Sequence, residues 1–361
     1  MNADRTRSSE YMHWAKTRSA ARFNLAVSGM PNVRLAALGA SIDDLEVTGT
    51  DSYGYPPLRE AIAARYGVGA EMVVAAAGTS MANHLAMAAL VDPGDEVIVE
   101  TPVYEPITAT ARYLGADVRF VERRFENAFA VDPDDVARAM TPRTRLVVLT
   151  SLHNPSGAVV ARDALERIGA IAEAVGARVL VDEVYLDAAF DDPQPSAVRL
   201  GPQFVSTNSL TKLYGLSGLR CGWVLAEPEL AERMWRLNDL FGVNAAHTAE
   251  RLGVVAFRQL DRLLGTAREL IATNRAAWDE FAADHGDVEA AAIGCGTTVF
   301  PRVAGGDADG LCALLRERYE TSVVPGRFFG ASEHVRIGFT CAPDVFREGL
   351  SRLGAALDEL A

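Results

Sequence analysis

From about residue 72 onward, short apolar runs alternate with longer amphipathic stretches. The residues from Met81 to Val91 space their apolar side chains for a helix, Pro93-Gly94 turns the chain, and Glu96–Glu100 reads as a strand. A helix over Tyr104–Tyr113 and a strand near Ala116–Val121 follow. Arg145–Thr150, Arg178–Asp182, Phe204–Thr207 and Gly222–Leu225 are compact and apolar, as strands covered on both faces are. Between the first two of these lies a helical stretch, Arg162–Val175, with Gly176 placed to end it. Strands separated by helix-length connections need crossovers, so the pattern predicts an α/β fold with a mostly parallel sheet flanked by helices. After residue 228 the runs become long and helical, then give short strands near Thr297–Pro301 and Val335–Phe339. A second, smaller α+β domain is expected there.

Composition narrows the function. The 361 residues carry 35 basic and 48 acidic side chains, a formal charge of −13, which argues against a nucleic-acid or anionic-membrane partner. The four cysteines are scattered without a CxxC pair, and the six histidines form no HxxH or HExxH. No metal site and no disulfide framework are expected, and reduced thiols suit a cytoplasmic protein. The first residues lack the apolar core of a secretory leader, and no apolar run approaches the ~18–20 residues that span a bilayer.

Ligands of such sheets sit at the carboxyl ends of strands. The run ending at Thr150 leads to Asn154-Pro155-Ser156-Gly157; the next closes on Asp182, with Tyr185 just beyond; Phe204–Thr207 leads to Ser209 and Lys212. Three strand ends thus deliver an amide, a carboxylate with a phenol, and a hydroxyl with an amine. Residues 207–223 also bring Arg220 and glycines at 215, 218 and 222, so a guanidinium and a hydroxyl flank one amine. That suits an anionic ligand whose other end reacts with the amine. Ser209-x-x-Lys212 matches the Ser-x-x-Lys of penicillin-recognising enzymes, but Ser-Asp-Asn and Lys-Thr-Gly are absent, as are GxSxG, a P-loop and GxGxxG.

In these motifs and their order, roughly over residues 50 to 345, the chain resembles the class I/II aminotransferases, pyridoxal-phosphate enzymes of fold type I. The resemblance implies a seven-stranded sheet in a cofactor domain of residues 48–245, and a small domain built from 1–47 and 246–361. It implies pyridoxal 5'-phosphate, with Lys212 as Schiff-base lysine and as general acid and base. Asp182 then pairs with the pyridine nitrogen, while Asn154 and Tyr185 bind the phenolic oxygen. Gly78, Thr79 and Ser80, at a helix start, with Ser209 and Arg220, form the phosphate cup. Tyr104 stacks on the ring. Arg336, with Asn154 and a backbone amide near Gly29, binds the substrate α-carboxylate. A homodimer with the active site at the interface is implied, with Tyr53 and the segment near Asn244 approaching the partner.

One departure concerns Tyr53. Members often place a tyrosine about five residues before the glycine of a Gly-x-x-x-Leu-Arg element. Here that element is Gly54 to Arg59, Gly49 stands at the earlier position, and Tyr53 adjoins the glycine. The expected activity is ping-pong transfer of an amino group from an L-amino acid to a 2-oxo acid. A lyase, racemase, decarboxylase or oxidase on the same scaffold shares these residues. A non-catalytic regulator is the alternative of another class, for which little chain remains to form a DNA-binding module.

Overall fold

The computed structural model describes residues 5–360. Seven strands pair into one sheet: β1 (Val73–Ala77), β2 (Glu96–Thr101), β3 (Asp117–Glu122), β4 (Thr144–Thr150), β5 (Arg178–Asp182), β6 (Phe204–Ser209) and β7 (Cys221–Leu225). Their order is β1-β7-β6-β5-β4-β2-β3. The central strands are apolar on both faces because both faces are covered. Val179, Leu180 and Val181 of β5 are wholly buried, each contributing roughly 1.5–3 kcal/mol on transfer from water.

Neighbouring strands are parallel except at β7, which runs antiparallel to both β6 and β1. The cause is the connection. Between Ser209 and Cys221 the chain forms only a short 3-10 turn, Ser217–Leu219, and no helix able to carry it back across the sheet. It therefore reverses at the same edge, the edge where Lys212 and Arg220 lie.

Helix Thr79–Leu90 packs on one face through Ala82, Leu85, Ala86 and Met87. On the other, helix Arg162–Ala174 buries Leu165, Ile168, Gly169 and Ala172, an i, i+3, i+4, i+7 stripe. A second core joins Leu25 to residues from Ala267 to Leu357. Above it stands a three-stranded antiparallel sheet with Val335–Gly338 between Thr298–Val299 and Val324–Pro325. The amino-terminal strand Phe23–Asn24 pairs with Thr321–Ser322, tying the chain start into this unit. The 25-residue helix Leu260–Asp284 spans both cores: Leu260 and Leu263 pack beneath the large sheet, and Ala267 to Phe281 with Leu25. Among the described residues no helix is long and apolar enough to cross a membrane.

Candidate active site

Register places the chemistry. Thr150 lies opposite Asp182, and Asp182 opposite Thr207, so three strand ends stand level. Ser209 pairs with Gly222 and Ala77 with Cys221, bringing the start of helix Thr79–Leu90 to the same edge. A cavity of about 190 Å³ opens there, lined by Thr79, Ser80, Tyr104, Asn154, Asp182, Tyr185, Lys212 and Arg220, all expected from the sequence.

At one end the start of helix Thr79–Leu90, Ser209 and Arg220 come together, a set of groups suited to an anion. The first amides of a helix lack intrahelical partners, and the helix dipole makes that end positive. Thr79 Oγ1 donates to Ser209 Oγ at 2.8 Å, joining the helix start to the end of β6. Arg220 crosses the opening, its Nη2 donating to the Ala77 carbonyl at 3.0 Å. The approach is close enough to require glycine. A Cβ on Gly78, whose φ is 80°, would lie 2.3 Å from Arg220 Nη2, and one on Gly222 would lie 2.5 Å from the Gly78 backbone.

Asp182 forms the floor. It accepts from Asn83 Nδ2 at 2.7 Å and from the Val184 amide at 3.1 Å, and it makes no ion pair among the described residues. Burial pushes its carboxyl up to about 6, against those two donors and the nearby charge of Lys212. A folded value above the ordinary 3.8 means that this group favours folding below about pH 4, and that the contribution is lost as pH rises through about 6. In the ligand-free protein, Asp182→Asn is expected to remove a decline in stability between pH 4 and 6 on the order of 3 kcal/mol. Denaturant titrations across that range that gave both proteins the same pH slope would exclude the carboxylate as its source.

Lys212 rises from the loop after β6. Its Nζ lies 3.4 Å from Ser28 Oγ, which in turn lies 2.7 Å from Tyr185 Oη. Beyond the amine is an adjoining cavity of about 270 Å³, lined by Gly29, Met30, Lys212 and Arg336 among others. Gly29 packs against the Lys212 side chain, where a Cβ would meet Cδ at 3.4 Å, and the Met30 amide donates to the Lys212 carbonyl at 2.8 Å. Arg336 is 1% exposed on the central strand Val335–Gly338. It donates to Asn154 Oδ1 at 3.0 Å, to Tyr11 Oη at 3.2 Å and to the Ala26 carbonyl at 2.9 Å. Its Nε has no partner and no carboxylate pairs with it among the described residues. A buried cation compensated only by neutral groups is ready for an anionic ligand.

Tyr53, expected to approach a partner subunit, lies outside this chain's own cleft. It is 38% exposed, donates to Asp239 at 3.4 Å and packs edge-on against Trp235. The sequence reading missed Asn83, Tyr11 and Ser28. Asn83 was legible as a polar residue on the buried face of an apolar helix, where its amide accepts from Thr207 at 2.6 Å and donates to Asp182. Tyr11 had no such local signal.

The model of aminotransferase class I and II matches residues 27–353. The chain is 35% identical to a capreomycidine synthase of Streptomyces vinaceus, over 93% of this chain and 90% of that one. It is 32% identical to the arginine–pyruvate transaminase AruH of Pseudomonas aeruginosa, over 89% and 86%. Among solved structures, a PLP-dependent aminotransferase from Streptococcus suis superposes with a TM-score of 0.93 at 25% identity, covering 99% of each chain. A PLP-dependent cyclase, OrfR, superposes at 0.89 with 28% identity, covering 98% of each. Family match, sheet topology and strand-end residues agree: this chain belongs to the class I and II aminotransferases, enzymes that depend on pyridoxal phosphate.

Proposed function

We propose that the protein is a transaminase, moving an amino group from an L-amino acid to a 2-oxo acid in two half-reactions. The observation that carries the reading is the place of Lys212, whose amine borders both the cavity floored by Asp182 and the one holding Arg336. The residues present fit pyridoxal phosphate. The cup of Gly78, Thr79, Ser80, Ser209 and Arg220 suits its phosphate, and the unpaired buried Asp182 suits a protonated ring nitrogen. Asn154, Tyr185 and Tyr104 line the same cavity, where the first two would hold the ring oxygen and the third would stack on the ring. Bound there, the cofactor supplies an electron sink that makes the Cα–H bond of an attached amino acid acidic.

The protein's own groups do the rest. Asp182 holds a proton at the ring nitrogen, since a buried carboxylate is stabilised by a cation beside it. Arg336 grips the α-carboxylate and so decides which Cα bond faces Lys212. The Lys212 amine takes the Cα proton and would return it to the cofactor carbon on the far side of the substrate nitrogen. Arg336→Gln is expected to lower kcat/KM by about 10²-fold or more, mostly through KM, because it removes a buried charged partner. An unchanged KM for the amino donor would remove Arg336 from this role.

The cyclase and synthase relatives support a second reading, in which the same groups serve elimination or ring closure. The two differ in one requirement. A transaminase consumes a 2-oxo acid and returns it as an amino acid, whereas ring closure within the substrate needs no acceptor. Incubating the protein with single amino acids, with and without 2-oxoglutarate or pyruvate, and following the nitrogen by mass spectrometry separates them. AruH's name makes arginine the first donor to screen.

A homodimer is part of the same proposal. Ile42, Val47, Leu240, Phe241 and Val243 are exposed apolar side chains on segments that meet through the Glu46–Arg251 ion pair and the Tyr53–Asp239 bond. Covering that surface with a second copy would bring Tyr53 and the segment near Asn244 to the interface. Scattered free cysteines support a cytoplasmic setting.

A further inference from the structure

Helix Glu10–Thr17 carries none of the residues expected at the site, yet it brings a buried phenol between the two cavities. The Tyr11 ring packs against Tyr104, Phe328 and Phe329, with centroids 5.5, 5.8 and 5.7 Å away. Its helix is held by Glu105, which accepts from the amides of Tyr11 at 3.0 Å and Glu10 at 3.1 Å and from the Ser9 hydroxyl. The turn that aims Tyr104 into the cleft therefore also anchors Tyr11.

The Tyr11 oxygen accepts from Arg336 Nη2 at 3.2 Å. That bond uses a lone pair and leaves the proton: the Tyr11 O–H has no acceptor among the described residues, where buried hydroxyls are ordinarily paired. Beside it, among the same described residues, Arg336 has an unpartnered Nε and no carboxylate partner. Tyr11 and Lys212 each line both cavities. A free hydroxyl proton and an uncompensated guanidinium thus stand together on the path from the amine to Arg336.

We propose that Tyr11 is a substrate-binding residue whose hydroxyl donates to the same α-carboxylate that Arg336 pairs with, so that helix Glu10–Thr17 forms a specific wall of the substrate site. The proposal rests on the carboxylate role given to Arg336 above. A carboxylate has room for several donors, and Arg336 fills only one edge of it. Burial alone would raise the phenol's pKa. The charges of Arg336 and Lys212, with the bond from Arg336, outweigh it and hold the phenol below its ordinary 10, which makes it a stronger donor.

Tyr11→Phe keeps the ring and removes only the hydroxyl. The holoenzyme is titrated calorimetrically with 3-phenylpropanoate, an acid lacking an amine, and with the neutral 3-phenylpropanamide. The variant is expected to bind the acid about tenfold more weakly, the amide unchanged, and to show a similar rise in KM for the amino donor with a smaller change in kcat. Arg336→Gln is expected to weaken the acid as well. If wild type does not bind the acid, or Arg336→Gln binds it equally well, the carboxylate site itself is misplaced and the proposal falls with it. If Arg336→Gln weakens binding while Tyr11→Phe binds the acid as well as wild type or better, the role of Tyr11 alone is overturned.

Discussion

Lys212→Ala is expected to give a folded protein that shows no visible absorbance from covalently held pyridoxal phosphate and loses at least about 10³-fold in kcat. The expectation is unusually sharp because the chain has only two lysines among its 35 basic residues, Lys16 and Lys212. Arginine cannot substitute for either, since its guanidinium stays protonated and so offers no lone pair to a carbonyl. Lys16 is exposed on the amino-terminal helix, whereas Lys212 borders both cavities. Borohydride treatment of the loaded protein, followed by peptide mass spectrometry, is therefore expected to find the reduced cofactor on Lys212 and not on Lys16. Attachment at Lys16, or turnover surviving in Lys212→Ala, would dispose of the mechanism.

Arg123→Met is expected to cost about 3–5 kcal/mol of stability. Arg123 and Glu100 form a pair at 2.8 Å with both side chains wholly buried. Burial raises the Glu100 carboxyl and lowers Arg123, each against the pull of its partner. Removing Arg123 leaves a carboxylate with no counter-charge in an apolar interior. That carboxylate supports the site, since it accepts from the Thr150 amide at 2.7 Å and from its hydroxyl, and Thr150 Oγ1 accepts from the Asn154 amide at 3.2 Å. The double variant Glu100→Gln/Arg123→Met leaves no charge at these two positions and is expected to recover part of the loss. Calorimetric melting of the three variants tests this: an Arg123→Met midpoint equal to wild type, or a double variant no better than the single, contradicts it.

The legible part of this protein is local. An apolar run of five or six residues announces a buried strand by itself, and in a parallel sheet the residues just after such runs gather at one edge. Asn154, Asp182, Tyr185, Ser209 and Lys212 were readable for that reason, and the expected strand Arg178–Asp182 has those bounds in the fold. The reversal at β7 was half legible: the chain from Ser209 to Cys221 is too short in regular structure for a crossover, but its direction is decided only when it packs.

Other features have no local signature. Tyr11 meets Arg336 across 325 positions of sequence, and Asn83 meets Asp182 across 99. Residue spacing says nothing about such pairs, because the direction of each side chain depends on how two separately packed elements meet. The −13 charge illustrates the same division. The net charge argues against a nucleic-acid partner, yet Lys212, Arg220 and Arg336 converge on one cleft inside that acidic chain. Periodicity determined the fold class by itself, and position at strand ends singled out Asn154, Asp182, Tyr185, Ser209 and Lys212. Tertiary packing alone decided that, among the described residues, Asp182 is buried without a counter-charge and Arg336 has no carboxylate partner, and that a tyrosine from the first helix stands beside Arg336, because burial and pairing are properties of surroundings that distant segments supply.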